Sequence, residues 1–424
     1  MSVSRQRLRL TLLQSFGTLS APWYSRRPSP LPPRPRILLV RPDHIGDLLF
    51  ATPALRMLHG TIPDAHLGCM VGPWGKAVLE NNPHVDELVV CEFPGFSRKP
   101  KAGAWTPYRV LHAWAAQLSS QQYDLAIVLR FDHWWGALLV YLARIPRRVG
   151  YDTPEGRPFL THAVPYVSLR HEVLQNLTLV GHALQQTAGQ RDMRDRVGLE
   201  ASGIRPEATE AVTTGSPQGQ VIWTDGELAL QYVVSKQDEE RIAGYLRAHG
   251  ITASRPLVAI HPGAGAPVKM WQPEAWAEVA DQVAARWNAQ IVLTGGSDEL
   301  DLAWSVNAHM RFEPLVAAGQ TSLGQLAALF QRCQLVMGPD CGPLHLAVAV
   351  GTPTLHLHGP VDPRKFGPWG PPGLHVVLTS GRACIPCNRL DYAAQEMPGH
   401  PCVREILVQS VVEAAHRLLE ASRR

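Results

Sequence analysis

Two stretches decide how this chain folds: Arg41-Pro-Asp-His-Ile-Gly-Asp47, and some three hundred residues later Gly338-Pro-Asp-Cys-Gly-Pro-Leu-His345. The first follows the apolar run Ile37–Val40 and precedes Leu48-Leu-Phe-Ala-Thr-Pro-Ala-Leu55. The second follows Leu335-Val-Met337 and precedes Leu346-Ala-Val-Ala-Val350. Each reads as a strand, a short loop holding glycine and acid, then a helix. An α/β sheet uses that arrangement to present ligands at strand C-termini and anions at helix N-termini. Two such loops in the two halves of one chain imply two doubly wound, Rossmann-like domains facing an interdomain cleft.

The flanking patterns agree. Strands are expected at Arg36–Val40, His66–Val71, Glu87–Cys91 and Leu125–Leu129, separated by helices near Asp47–Leu58, Trp74–Asn81, Tyr108–Ser119 and Trp135–Ala143. Strands spaced by helices imply a parallel sheet. The second half repeats the logic. Strands fall at Val258–His261, Gln290–Leu293, Leu335–Met337 and Thr354–Leu357, with a one-faced apolar helix over Glu274–Trp287. Ser322-x-x-Gln325 reads as a capping box opening a helix through Phe330. A last helix near Val403–Ser422 sets Leu407, Val411, Ala414 and Leu418 on one face. No internal sequence repeat accompanies the shared architecture.

With 424 residues, 45% hydrophobic and 18% charged, the chain suits two cores. A net charge of +4 fits an acidic substrate or an anionic surface without selecting either. No stretch is long and apolar enough to span a bilayer, and none has the apolar core of a signal peptide. Seven scattered cysteines fit a reducing cytoplasm better than a disulfide framework. Residues 1–35, arginine-rich, acid-free and crowded with proline after Pro28, read as a disordered basic extension, with a membrane-surface arm as the alternative. An acceptor-side domain is then expected over 36–215 and a nucleotide-sugar domain over 216–424, joined by the aperiodic stretch from about Glu200 to Gly219.

Asp43-His-Ile-Gly-Asp47 with Thr52-Pro-Ala-Leu-Arg56, His261-Pro-Gly263 with Lys269-x-Trp271, and Gly338-x-Asp-x-Gly-Pro-x-His345 with Gly351-Thr-Pro353 resemble glycosyltransferase family 9. This family comprises the heptosyltransferases that build the inner core of lipopolysaccharide. The resemblance implies a GT-B fold and inverting transfer of heptose from ADP-heptose to a lipid A-core acceptor. It implies a nucleotide sugar and an anionic glycolipid as partners, no nucleic acid, and no cofactor or catalytic divalent metal. The expected place is the cytoplasm, at the inner-membrane face.

From position alone Asp47 is a helix cap; the resemblance makes it the catalytic base, with Asp43, His44 and Gly46 lining the same acceptor-side loop. Lys269 is expected at the leaving diphosphate, where a point cation favours departure. Asp340, Cys341, Gly342, Pro343, Leu344 and His345 form the donor loop. Cys341 stands where the family often has Ser or Thr, which puts one hydroxyl contact to phosphate in doubt. Glu299 reads equally as a ribose ligand and as a helix-start acid. Trp369 reads as a base-stacking ring or a core cover.

Two further clusters stand beside these. Cys384, Cys387, Cys402 and His400 outline a weak structural zinc site. Arg98, Lys99, Lys101 and Arg109, interleaved with Trp105 and Tyr108, could meet a phosphorylated glycolipid or simply be a solvated basic loop. Other readings stay open: another nucleotide sugar or a glycan or protein acceptor, a non-catalytic sugar-nucleotide binder, or an NAD-dependent Rossmann protein. The last lacks its Gly-x-Gly-x-x-Gly.

Overall fold

The computed structural model describes residues 3–24, 30–96, 103, 105–185, 228–371 and 373–422. The chain divides into two compact units, Met1–His44 with Ala51–Pro206, and Ile45–Phe50 with Glu207–Arg424. The expected junction at 215/216 and the connection at 200–219 lie outside the described residues. The division departs from the sequence expectation at one informative place. Ile45–Phe50 clusters with the second unit and not with the strand that precedes it.

The first unit holds β1 (Arg36–Arg41), β2 (His66–Val71), β3 (Glu87–Val90), β4 (Leu125–Val128), β5 (Arg147–Tyr151) and β6 (His162–Val164). All pair in parallel, in the order β3-β2-β1-β4-β5-β6. The second unit holds β7 (Leu257–Ile260), β8 (Gln290–Leu293), β9 (Leu315–Val316), β10 (Leu335–Pro339), β11 (Thr354–Leu357) and β12 (His375–Leu378). Their order, β9-β8-β7-β10-β11-β12, repeats the first. Central strands β4, β7, β8, β10 and β11 are buried along their whole length, as strands covered on both faces must be. In this order the crossovers diverge on either side of β1/β4 and of β7/β10, and the crevice for a ligand opens there. The loops after β1 and β10, which opened the sequence reading, are the loops at those points.

Several expected elements shift for local reasons. The helix expected over Asp47–Leu58 is two, Ile45–Leu49 and Thr52–Thr61, because Pro53 enters the first turn of the second, where its missing N–H costs nothing. The region near Trp74 is a 3-10 turn, Pro73–Gly75, running into Lys76–Leu79. Ser322 and Gln325 do form a reciprocal capping box, with Gln325 N–H donating to Ser322 Oγ (3.2 Å) and Ser322 N–H to Gln325 Oε1 (3.1 Å). The last helix is shorter, Val408–Ala421. Its Val411, Ala414 and Leu418 fill the second unit's core beside Trp276 and Val283, and Trp287 Nε1 donates to His416 Nδ1 at 2.8 Å. Leu407 lies before the helix and faces solvent.

The disordered reading of 1–35 is corrected over Val3–Tyr24, which is a 22-residue helix. It packs on the first unit: Ser20 Oγ lies 2.8 Å from Tyr141 Oη, Phe16 stacks at 6.4 Å on Phe159, and Tyr24 at 5.5 Å on Tyr141. Gly17 permits the approach, since a Cβ there would sit 2.6 Å from Pro158 Cβ. The prolines that suggested disorder begin at Pro28, beyond this helix.

Gly338 gives the second sheet a sharp test. A Cβ at Gly338 would stand 2.5 Å from the carbonyl oxygen of His261 and 2.6 Å from Leu344, so backbone would have to move. Gly338→Ala is expected to destabilise by roughly 1–3 kcal/mol. Gly244→Ala, inside the helix Lys236–Ala248 with open space around it, should be neutral or stabilise by about 0.5–1 kcal/mol. Thermal unfolding midpoints of the two variants and the parent check the pair; equal midpoints would refute the crowding at Gly338.

Candidate active site

At the C-terminal end of β10 the backbone delivers Asp340 into the interior of the second unit. Lys269, in the 3-10 turn Pro267–Lys269 after β7, places Nζ 2.7 Å from Asp340 Oδ2, with both side chains largely buried. His345 Nε2 lies 3.5 Å from the other carboxylate oxygen, and His358 Nε2 4.0 Å from it. Burial alone would raise the carboxyl's pKa. Lys269 foremost, then His358 and His345, hold it well below its ordinary 3.8. Burial depresses His358, and more strongly His356 behind it, so both are neutral.

The helix Gly342–Ala349 starts immediately after this aspartate, and Cys341 is its cap residue. The Cys341 thiol makes no capping bond, and burial pushes its pKa up to about 12, so it is a neutral side chain. Pro343 contributes no donor, which leaves the amides of Gly342 and Leu344 at the helix start.

Against this helix lies the short helix Ile45–Leu49. A Cβ on Gly46 would meet His345 Cδ2 at 3.0 Å, and one on Gly342 would meet Ile45 Cβ at 3.0 Å. Phe50 stacks edge-on at 4.7 Å on His345. The paired glycines thus let two loops from opposite ends of the sequence touch backbone to backbone. Asp47 is the third residue of its helix, in the first turn and not at the cap position, and it is partly exposed. Asp47, Lys269, Asp340, Cys341, Gly342, Pro343, Leu344, His345 and Glu299 all fall in the second unit.

Glu299 shows both features foreseen for it. Its carboxylate accepts the N–H of Gly296 at 2.8 Å, as a turn-starting acid does. It also stands 3.6 Å from His261 Nε2 and lies over Gly263, where a Cβ would collide with it. His261 in turn contacts Thr294 Oγ1 at 3.1 Å. Trp369 is 3% exposed and donates from Nε1 to the carbonyl of Leu228 at 2.8 Å, so it covers the core and is not free to stack on a base.

Asp43 and His44 belong to the first unit. Asp43 is buried in an ion-pair network: Arg41 Nε lies 2.7 Å from one oxygen and Arg130 binds the other. Burial would raise its pKa, but Arg41 and Arg130 together lower it. Arg41 also donates to the carbonyl of Leu129 (3.0 Å), to Asn176 (3.1 Å) and to Glu172 (3.3 Å). Trp74 Nε1 donates to the carbonyl of Asp43 at 2.8 Å, and its ring lies 5.0 Å from exposed His44. Asp43 is therefore a brace for the loop.

Sequence reasoning missed Arg130, His358 and Trp74. Arg130 lies two residues after β4 and His358 directly follows β11, so both sit at strand C-termini next to the key loops. Strand adjacency would have pointed to them.

The zinc outline is not assembled. Cys384 and Cys387 are exposed, Cys402 is buried and His400 stacks at 3.7 Å on Tyr392. Among the described residues no three His, Cys, Asp or Glu side chains are placed to hold a metal. Trp105 and Tyr108, 6.2 Å apart, are exposed at the start of the helix Thr106–Ser120 that carries Arg109. Arg98, Lys99 and Lys101 lie outside the described residues.

Two parallel sheets in nucleotide-binding order, with an acid, a lysine and a helix start gathered at the switch point of one, define an α/β enzyme of GT-B architecture. The sequence matches glycosyltransferase family 9 (heptosyltransferase) over residues 111–396. The chain belongs to that family and is a glycosyltransferase. Lipopolysaccharide heptosyltransferase 2 of Salmonella typhimurium (strain LT2) is 25% identical over 390 residues, covering 91% of this chain and 98% of that one. The fold is shared with the glycosyl transferase family 9 structure from Veillonella parvula DSM 2008, at TM-score 0.70 and 24% identity over 93% of this chain and 99% of that one. It is shared equally with E. coli ADP-heptose lps heptosyltransferase II, at TM-score 0.67 and 21% identity over 92% and 100%.

The Lys269–Asp340 pair has a consequence for acid stability. A carboxyl with a lowered folded pKa contributes stability above its unfolded value, and loses it as pH falls through the folded value. Without Lys269, burial acts on Asp340 with less opposition and its pKa rises. Lys269→Met should therefore unfold at higher pH than the parent, with the acid midpoint moved up by about one unit. Tryptophan fluorescence against pH measures it, and coincident midpoints would show that the pair does not hold the carboxylate ionised.

Proposed function

We propose that this enzyme transfers a heptose from ADP-heptose, with inversion, to a lipid A-core acceptor in the cytoplasm. One observation carries the reading: the helix bearing Asp47 rests on the helix start at Gly342, next to the buried Lys269–Asp340 pair. A base and a cation are thereby fixed on one rigid element, as displacement at an anomeric carbon requires. The acceptor hydroxyl attacks that carbon and Asp47 takes its proton. The bond to the β-phosphate oxygen breaks and its electron pair leaves with ADP. Lys269 and the amides of Gly342 and Leu344 meet the charge that develops there. To Glu299 and Asp340 we assign the ribose and sugar hydroxyls.

The sugar and acceptor are supported by the names of similar proteins: a lipopolysaccharide heptosyltransferase matched over nearly the full chain, and a structure described as an ADP-heptose lps heptosyltransferase. Another nucleotide sugar, or a glycan or protein acceptor, would use the same machinery. A panel of nucleotide sugars tested for binding and hydrolysis, then core acceptors tested with the best donor, decides between them. ADP-heptose failing while another donor turns over would overturn the assignment.

Asp47→Asn keeps the shape of the side chain and removes the base. Turnover should fall by a factor of roughly 100 or more with donor affinity near that of the parent. Transfer within a few-fold of the parent would put the base elsewhere. Lys269→Ala should lose about 2–4 kcal/mol of transition-state stabilisation and less of donor binding. Lys269→Arg should rescue only in part, since a planar guanidinium does not replace a point charge. Single-turnover rates alongside donor dissociation constants separate these outcomes; equal losses in both would make Lys269 a uniform binding residue. The charge neutralisation assigned to Lys269 and the helix start needs no divalent ion, so EDTA-treated enzyme should still transfer sugar. Complete loss restored by Mg²⁺ would contradict that assignment.

A further inference from the structure

The helix Val3–Tyr24 is apolar on two faces. One face is used: Leu13, Gly17, Ser20 and Tyr24 meet the first unit. The other carries Leu8, Leu12, Phe16, Leu19 and Trp23, exposed by 62%, 61%, 41%, 72% and 69%. At about 100° per residue these five side chains fall within roughly 80° of arc, a continuous stripe along four turns. A helix apolar on both faces is normally buried on both. Here the second face stays exposed from Leu8 to Trp23, with Phe16 leaning back on Phe159.

Charge indicates what covers it. Residues 1–36 hold seven arginines and no acidic residue. Exposed Arg7 lies about 100° round the helix from Leu8, and Arg9, at the margin beside Phe16, reaches Glu155 at 3.5 Å and the ring of Trp134. Two copies of this acid-free helix brought face to face would set arginine against arginine. An anionic lipid surface meets both features at once, because leucine and aromatic side chains enter the acyl boundary while arginines stay among the headgroups. Trp23 lies at the end of the stripe, and tryptophan is enriched at that boundary. Among the described residues no helix is long and apolar enough to cross a membrane, so the contact would be one made in the plane of the surface.

We propose that the outer face of the helix Val3–Tyr24 docks this enzyme on an anionic bilayer. The benefit rests on the reading that its acceptor is lipid-linked, because a surface-bound enzyme searches for such an acceptor in two dimensions. The docking itself is testable without donor or acceptor.

The experiment is flotation of the full chain with vesicles of phosphatidylcholine and phosphatidylglycerol, and with vesicles of phosphatidylcholine alone. The parent should float with the anionic vesicles and more weakly with the neutral ones. Leu12→Ser, Leu19→Ser and Trp23→Ser combined, all on exposed positions, should lower partitioning by at least about tenfold. Arg7→Glu should weaken binding to anionic vesicles and leave binding to neutral ones unchanged. A parent that does not float, or a triple variant that floats equally, overturns the proposal. So does a parent that light scattering shows to be a dimer and the triple variant turns into a monomer, since the stripe is then a self-interface. Transfer to a soluble, deacylated core acceptor is measured in parallel and should be equal in parent and triple variant. If neither transfers, the reading of the reaction fails while the vesicle result stands.

Discussion

The structure depends on one buried ion pair. Lys269 and Asp340 approach to 2.7 Å where the crossovers of the parallel second sheet diverge, and each would be costly to bury alone. Their pairing permits a full charge of each sign to sit beneath a helix start, with His345 and His358 closing around the carboxylate. A lysine held this way is a mobile point charge with a defined resting partner. On the proposed reaction an incoming diphosphate competes with Asp340 for it, while His358, kept neutral by burial, stays beside the aspartate.

The second constraint is steric. Two glycines, Gly46 and Gly342, let the helix Ile45–Leu49 settle on the helix Gly342–Ala349. Any side chain at either position would push Asp47 away from the donor loop. The arginine–aspartate network at Arg41, Asp43 and Arg130 stiffens the chain just before that point, and Trp74 ties down its carbonyls. On the proposed reaction the helix Ile45–Leu49 would present Asp47 from regular backbone, as a group that must act within a fraction of an ångström requires.

Most of this architecture was legible in the residues. β2, β8 and β11 lie where the apolar runs placed them, and the Ser322 capping box formed as read. The residues expected from the family resemblance, Asp47, Lys269 and Asp340, lie in one unit, together with Glu299, read from its position alone. Periodicity could not supply strand order, and so Arg130 and His358 went unseen although each immediately follows a strand that had been recognised. The helix Val3–Tyr24 was lost to the weight of the prolines after Pro28, and because apolar residues on two faces erase the one-sided pattern that marks a surface helix. At Trp369 the sequence left base stacking and core cover open, and the buried ring with its indole N–H donated to backbone settles on the second. The cysteine outline failed because spacing alone does not bring side chains to a common point.

The central claim is that Lys269 reads the second phosphate of the nucleotide. Calorimetric titration of ADP and AMP into the parent and into Lys269→Met tests it most directly. The parent should prefer ADP by about tenfold or more, the worth of one charge-assisted hydrogen bond, and Lys269→Met should bind the two nucleotides almost equally. Undiminished preference for ADP in the variant would contradict the account.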